Sequence, residues 1–133
     1  MRMTITAVIF GVLACAVIGL AAQNLGSKRE PLTFPLECAG GDCPLLRGVP
    51  QTSGMRGGAV RLKPGESIGW HSTKANEESL LILHGSGTAS IEGHPDVPLH
   101  ERMLAYIPPD TKHNVTNTGT DVLEYVWIVA PTR

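Results

Sequence analysis

The apolar residues of this chain fall into two unlike regimes. Positions 3–22 form an almost unbroken apolar run whose only polar side chains are Thr4 and Thr6. From about residue 57 onward, apolar residues come in short segments separated by turn formers, a pattern that favours short strands over helices. It predicts strands over 58–62, 67–73, 78–84, 87–92, 103–107, 112–117 and 122–129. The connections carry turn chemistry, as in Lys63-Pro64-Gly65, Gly93-His94-Pro95-Asp96, Pro108-Pro109-Asp110 and Asn117-Thr118-Gly119. Strands at this spacing predict an all-β sandwich or jelly-roll β-barrel, in which sheet edges are closed or covered.

Between these regimes, 23–54 shows no clear periodicity and is interrupted by Pro31, Pro35, Pro44 and Pro50. It reads as a linker followed by an arm on the barrel, with 33–36 or 45–46 adding an edge strand or plugging one end. The chain therefore divides into a targeting segment at 1–22, a linker and N-terminal arm at 23–54, and a barrel domain at 55–133.

The first segment has Arg2 ahead of the apolar run and the small residues Gly19 and Ala21 near its end. Two readings stand: a cleaved signal peptide, or a retained membrane anchor, since the run is close to the ~20 residues that span a bilayer. A lipoprotein acylated at Cys15 fits less well, because Leu13 suits that pattern poorly and the apolar run continues past the cysteine. Arg2 and the later Lys28-Arg29 give a weak orientation signal. The expectation is export, to a periplasmic or extracellular location, with membrane contact through this segment alone.

Fifteen Gly and ten Pro reinforce the all-β reading. Eleven Lys and Arg against twelve Asp and Glu give a net charge of −1 without a basic run, which excludes a nucleic-acid-binding footprint. Cys38 and Cys43 bracket Ala39-Gly40-Gly41-Asp42, and in an oxidising compartment this pair is expected to form a disulfide. The alternative, a redox or metal pair, lacks both Cys-x-x-Cys spacing and a second cysteine pair.

Side chains two apart on a strand share a face, so His71 and Thr73 point together. Glu78 opens the next strand and His113 stands at the start of a later one. Two imidazoles and a carboxylate converging inside a barrel suit a first-row divalent metal with open positions.

The spacing of these residues resembles the cupin superfamily. Its first motif is Gly, five residues, His-x-His, three or four residues, Glu, six residues, Gly. Here Gly65, His71-Ser72-Thr73, Glu78 and Gly85 fall in that register, with Thr73 in place of the second histidine. The second motif is Gly, five residues, Pro-x-Gly, two residues, His, three residues, Asn. Pro108, His113 and Asn117 match it, while Arg102 and Asp110 replace its two glycines.

The resemblance covers roughly 75 residues and implies a jelly-roll of two antiparallel sheets. It carries metal-ligand roles onto His71, Glu78 and His113, for iron, manganese, zinc or nickel. Thr73 offers a hydroxyl where an imidazole would bind far more strongly. Thr73 and Asn117 are candidates for supporting the ligands or touching a substrate, and no catalytic residue is assigned.

Three functional readings follow. In the first, a divalent metal on the three donors keeps a charge near +1 and binds a small anionic molecule. Catalysis would then be oxygenation with iron or isomerisation with zinc or manganese. The second is a metal-free module that binds a small, sugar-like ligand without catalysis. The third is a structural homodimer formed through the barrel edges, since similar domains often dimerise.

Overall fold

Buried and exposed positions alternate along the chain with the period of two that a half-buried strand requires. The computed structural model describes residues 29–132, so the targeting segment expected at 1–22 and Cys15 lie outside the described residues. Among the described residues there are eight strands: β1 (Gly41–Arg47), β2 (Arg56–Leu62), β3 (Asn76–His84), β4 (Ser86–Ile91), β5 (Val97–His100), β6 (Leu104–Ile107), β7 (His113–Thr116) and β8 (Leu123–Pro131). They form a five-stranded sheet in the order β1-β2-β8-β3-β6 and a three-stranded sheet in the order β5-β4-β7, and all the pairings are antiparallel.

The core lies between the sheets. Val60 and Leu62 come from β2, Leu80 and Ile82 from β3, and Leu123 and Tyr125 from β8. The smaller sheet supplies Ala89, Ile91, Leu99 and Val115. Each fully buried aliphatic side chain contributes about 1.5–3 kcal/mol relative to exposure. Glu78 sits on β3 in the same inward register as Leu80 and Ile82, with Ile107 and Val129 as cross-strand neighbours. A carboxylate thus occupies a core position.

Gly85 makes the β3–β4 turn. Its φ of 80° is left-handed, and a Cβ there would lie 2.3 Å from the Val122 carbonyl oxygen. Both facts require glycine. Left-handed backbone also recurs at Arg102 (φ 66°) and Asp110 (φ 54°), the two positions where the resembled motif has glycine. The turns keep their shape without the residue that adopts it at no steric cost.

The structure corrects three expectations. The strand read at 67–73 is reduced to two isolated bridges, Ser67 to Thr116 and His71 to His113. Gly69, between them, turns to a φ of 93°, and its N–H donates to the Asn114 Oδ1 at 2.9 Å instead of to a neighbouring strand. The loop read after residue 93 contains β5, where Leu99 is wholly buried while Pro98 sits on an edge strand that tolerates its missing N–H. The edge strand entertained at 45–46 is longer, since β1 pairs with β2 from Gly41 to Arg47. Cys38 and Cys43 form a disulfide, with Cα atoms 5.7 Å apart, that ties the preceding segment to β1.

Candidate metal centre

Three strand contexts bring His71, Glu78 and His113 to one end of the barrel. His113 opens β7, and the extended segment through His71 runs beside it. His71 N–H donates to the His113 carbonyl at 3.0 Å, and His113 N–H donates to the His71 carbonyl at 2.9 Å. This reciprocal pair sets the two rings edge to face, with centroids 4.3 Å apart and planes at 60°. Glu78 faces them from β3 on the opposing sheet. One ligand atom from each residue falls within 4.8 Å of the other two. His113 and Glu78 are 1% and 5% exposed, whereas His71 lies at the mouth.

The backbone sets which nitrogens point inward. His71 Nδ1 lies 2.9 Å from the Gly69 carbonyl oxygen, and His113 Nδ1 lies 3.1 Å from that of Thr111. A carbonyl accepts, so the neutral tautomer that suits these contacts carries its proton on Nδ1, which leaves the His113 Nε2 lone pair facing Glu78. Orienting contacts of this kind accompany metal-ligating imidazoles.

The His113 Nε2 lies 3.1 Å from the Glu78 Oε2, yet in the neutral ring neither buried atom has a hydrogen-bond partner. A lone pair facing a carboxylate oxygen in a desolvated interior is repulsive unless a positive charge intervenes. Protonation of Nε2 is one way to supply it. Burial pushes the His113 pKa down, but the hydrogen bond available from Glu78, the Thr111 carbonyl and the Glu78 charge outweigh burial and raise it overall. A divalent cation is the other way, and two imidazole nitrogens with one carboxylate form a suitable donor set.

Of the supporting residues expected from sequence, Thr73 lines the cavity beside this group. Its Oγ1 donates to the Asn76 carbonyl at 2.9 Å, which closes the loop leading into β3. Asn117 does not reach the site. It is 1% exposed, and its amide donates to the Leu62 and Asp121 carbonyls at 2.9 and 2.8 Å and accepts from Gly119 N–H at 3.0 Å. Asn117 therefore fastens the turn before β8.

The cavity has a volume of about 190 Å³, and its wall includes Arg56, Tyr125, Trp127 and Val129 besides the three donors. At ~30 Å³ of liquid volume each, it has room for about six waters. Gly58 shapes one side, because a Cβ there would come within 2.9 Å of the Trp127 ring and 2.6 Å of the Cys43 carbonyl. Trp127 Nε1–H donates to Asp42 Oδ1 at 2.7 Å, which fixes the indole against β1. Burial and the charges of Glu78 and Asp42 raise the Tyr125 pKa, so its phenol stays protonated. A wider groove of about 600 Å³ under the arm contains no histidine, and the Arg61–Glu124 ion pair lies along it. The candidate metal group lies in the smaller cavity.

Sequence reasoning missed Arg56 and Asp42 as parts of this wall. The available signal was the period-two register of β2, which places Arg56 on the face of Val60 and Leu62.

Comparison with known proteins supports the architecture. A family model described as Cupin domain matches residues 58–129. The Oxalate-binding protein of Thermotoga maritima is 30% identical over 70 residues, covering 53% of this chain and 57% of that protein. The chain thus spans a little over half the length of this curated relative. Among solved structures, a conserved protein with a double-stranded β-helix domain from Klebsiella pneumoniae superposes with a TM-score of 0.62 at 20% identity, covering 77% of this chain and 91% of that one. A cupin protein from Bacteroides fragilis superposes at 0.60 with 21% identity, covering 78% and 85%. At these identities the structural likeness concerns the fold.

Proposed function

The chain belongs to the Cupin domain family, and on that footing we propose that it holds a divalent metal on His71, Glu78 and His113 and binds a small carboxylate anion beside it. The observation that carries this reading is the buried contact between Glu78 Oε2 and His113 Nε2, which a positive charge between them would make favourable. With one carboxylate among three donors, a bound divalent ion would keep a net charge near +1 and attract an anionic oxygen ligand. The small cavity suits a ligand of a few heavy atoms. The oxalate-binding relative supports that choice of ligand class.

A metal-free binding module is the second reading, and Thr73 favours it. The hydroxyl stands where the family motif has a histidine, and its proton is already committed to Asn76. The chain is further proposed to work outside the cytoplasm. The apolar segment at 1–22 and the Cys38–Cys43 disulfide support export, because such bonds persist in oxidising compartments.

Elemental analysis of the purified full chain after incubation with iron, manganese, nickel or zinc tests the proposal. Close to one metal per chain is expected for the native protein, with little in His113→Ala. No metal in either protein would leave the metal-free reading, and equal metal in both would mean that these residues are not the ligands.

A further inference from the structure

Arg56 is exposed at the start of β2, yet it stands on the inward register of that strand, paired with Val129. Val60 and Leu62 of β2 belong to the core, so the period of two places Gly58 and Arg56 on the same inward face at the open end of the barrel. Arg56 lines the same cavity as His71, Glu78 and His113. Arg61 on the outward face of β2 is paired with Glu124, whereas no carboxylate among the described residues pairs with Arg56. The cavity wall contains a second acid, Asp42, but that carboxylate accepts the Trp127 Nε1–H. The mouth therefore carries an arginine with no anionic partner in the same cavity as a group suited to a cation.

We propose that Arg56 determines specificity for a short dicarboxylate, pairing with the carboxylate that lies away from the His71–Glu78–His113 group. This rests on the reading that the group holds a divalent metal, and it names the ligand class more narrowly. A guanidinium presents a planar fork that matches a carboxylate in two parallel hydrogen bonds, which an ammonium does not reproduce. A cavity of about 190 Å³ limits the spacing between the two carboxylates. A monocarboxylate would engage one end of the site and leave Arg56 unpaired.

Calorimetric titration of oxalate and of formate into the native protein and Arg56→Gln, each metal-free and manganese-loaded, tests this. For the loaded proteins, Arg56→Gln is expected to weaken oxalate roughly tenfold to a hundredfold, the scale of a lost charge-assisted contact. Formate affinity, manganese content and melting temperature stay at native values, and Arg56→Lys recovers part of the oxalate affinity. Equal oxalate affinity in native protein and Arg56→Gln would overturn the proposal, as would an equal proportional loss for both ligands. A native protein that binds oxalate in neither form would overturn it too. Native protein that takes up no manganese would instead remove the metal reading. The guanidinium contact is then read from the metal-free titration, where an unchanged oxalate affinity in Arg56→Gln overturns it.

Discussion

Glu78 Oε2 and His113 Nε2 face each other at 3.1 Å in the interior, and neither atom has a hydrogen-bond partner in the neutral-imidazole state. The contact is built in. Glu78 is held in the inward register of β3, and the His113 ring is held through Nδ1 by the Thr111 carbonyl. The pair is therefore suited to a positive charge, a proton or a metal ion, and the consequences are measurable.

The first concerns pH. His113 has a raised pKa, burial being outweighed by Glu78 and the Thr111 carbonyl, so the folded protein binds this proton more tightly than the unfolded chain. In metal-free protein, that stabilisation is fully present below about pH 6.5 and is lost as pH rises through the folded-state value. A bound metal would displace the proton, so metal binding should strengthen with pH. The melting temperature of metal-free protein should fall as pH rises above about 6.5, while the increase produced by a divalent metal grows over the same window. His113→Asn should flatten both profiles. A metal-free protein that becomes steadily more stable across the window would contradict the assignment.

The second concerns the missing histidine. Thr73→His restores a nitrogen donor on the cavity wall and should tighten manganese or zinc binding at least about tenfold. Losing the Thr73–Asn76 hydrogen bond should cost about 1 kcal/mol of metal-free stability. Competition with a chelator reads the affinity, and no gain would place residue 73 out of reach of the metal.

The third concerns Trp127. Gly58→Ala places a methyl group 2.9 Å from the indole and 2.6 Å from the Cys43 carbonyl. Strand β2 or the ring must move, at a cost of roughly 1–3 kcal/mol. Denaturant unfolding and the near-ultraviolet signal of Trp127 should both change. Native-like values for both would show that the wall is looser than its contacts imply.

The fourth concerns the two turns where glycine is replaced. Left-handed backbone costs a residue such as Arg102 roughly 1–2 kcal/mol, and glycine gives back part of that gain through the unfolded chain. Arg102→Gly should therefore stabilise by up to about 1 kcal/mol. Asp110→Gly should gain less, because aspartate tolerates this region better. Thermal unfolding decides, and a destabilised Arg102→Gly would mean that the arginine side chain makes a compensating contact.

These turns also show what the sequence could and could not reveal. Period-two patterning located six strands to within a few residues, because β3 and β8 alternate core and surface cleanly. Residues 97–100 were opaque because Pro98 and the neighbouring polar residues mask Leu99, whose burial is a tertiary fact. Residues 67–73 misled because their composition suits a strand while Gly69 turns the backbone and hands its N–H to Asn114. His71, Glu78 and His113 were legible from spacing as a candidate group, and the structure brings them together. Asn117 has a local role that spacing cannot distinguish from a site role. Arg56 stayed hidden because a lone arginine at a strand start looks like ordinary surface until the face it occupies is known.

The most direct measurement is the melting temperature of the native protein and of Glu78→Gln at one pH above neutrality, each with and without manganese. A glutamine amide can donate to the His113 Nε2, so metal-free Glu78→Gln should be at least as stable as metal-free native protein. Native protein should gain about 2.7 kcal/mol when manganese is present at a hundred times its dissociation constant. Glu78→Gln should gain almost nothing at the same manganese concentration. A variant that keeps the native metal-induced gain would contradict the account, because the carboxylate at the centre of the proposed site would then be dispensable.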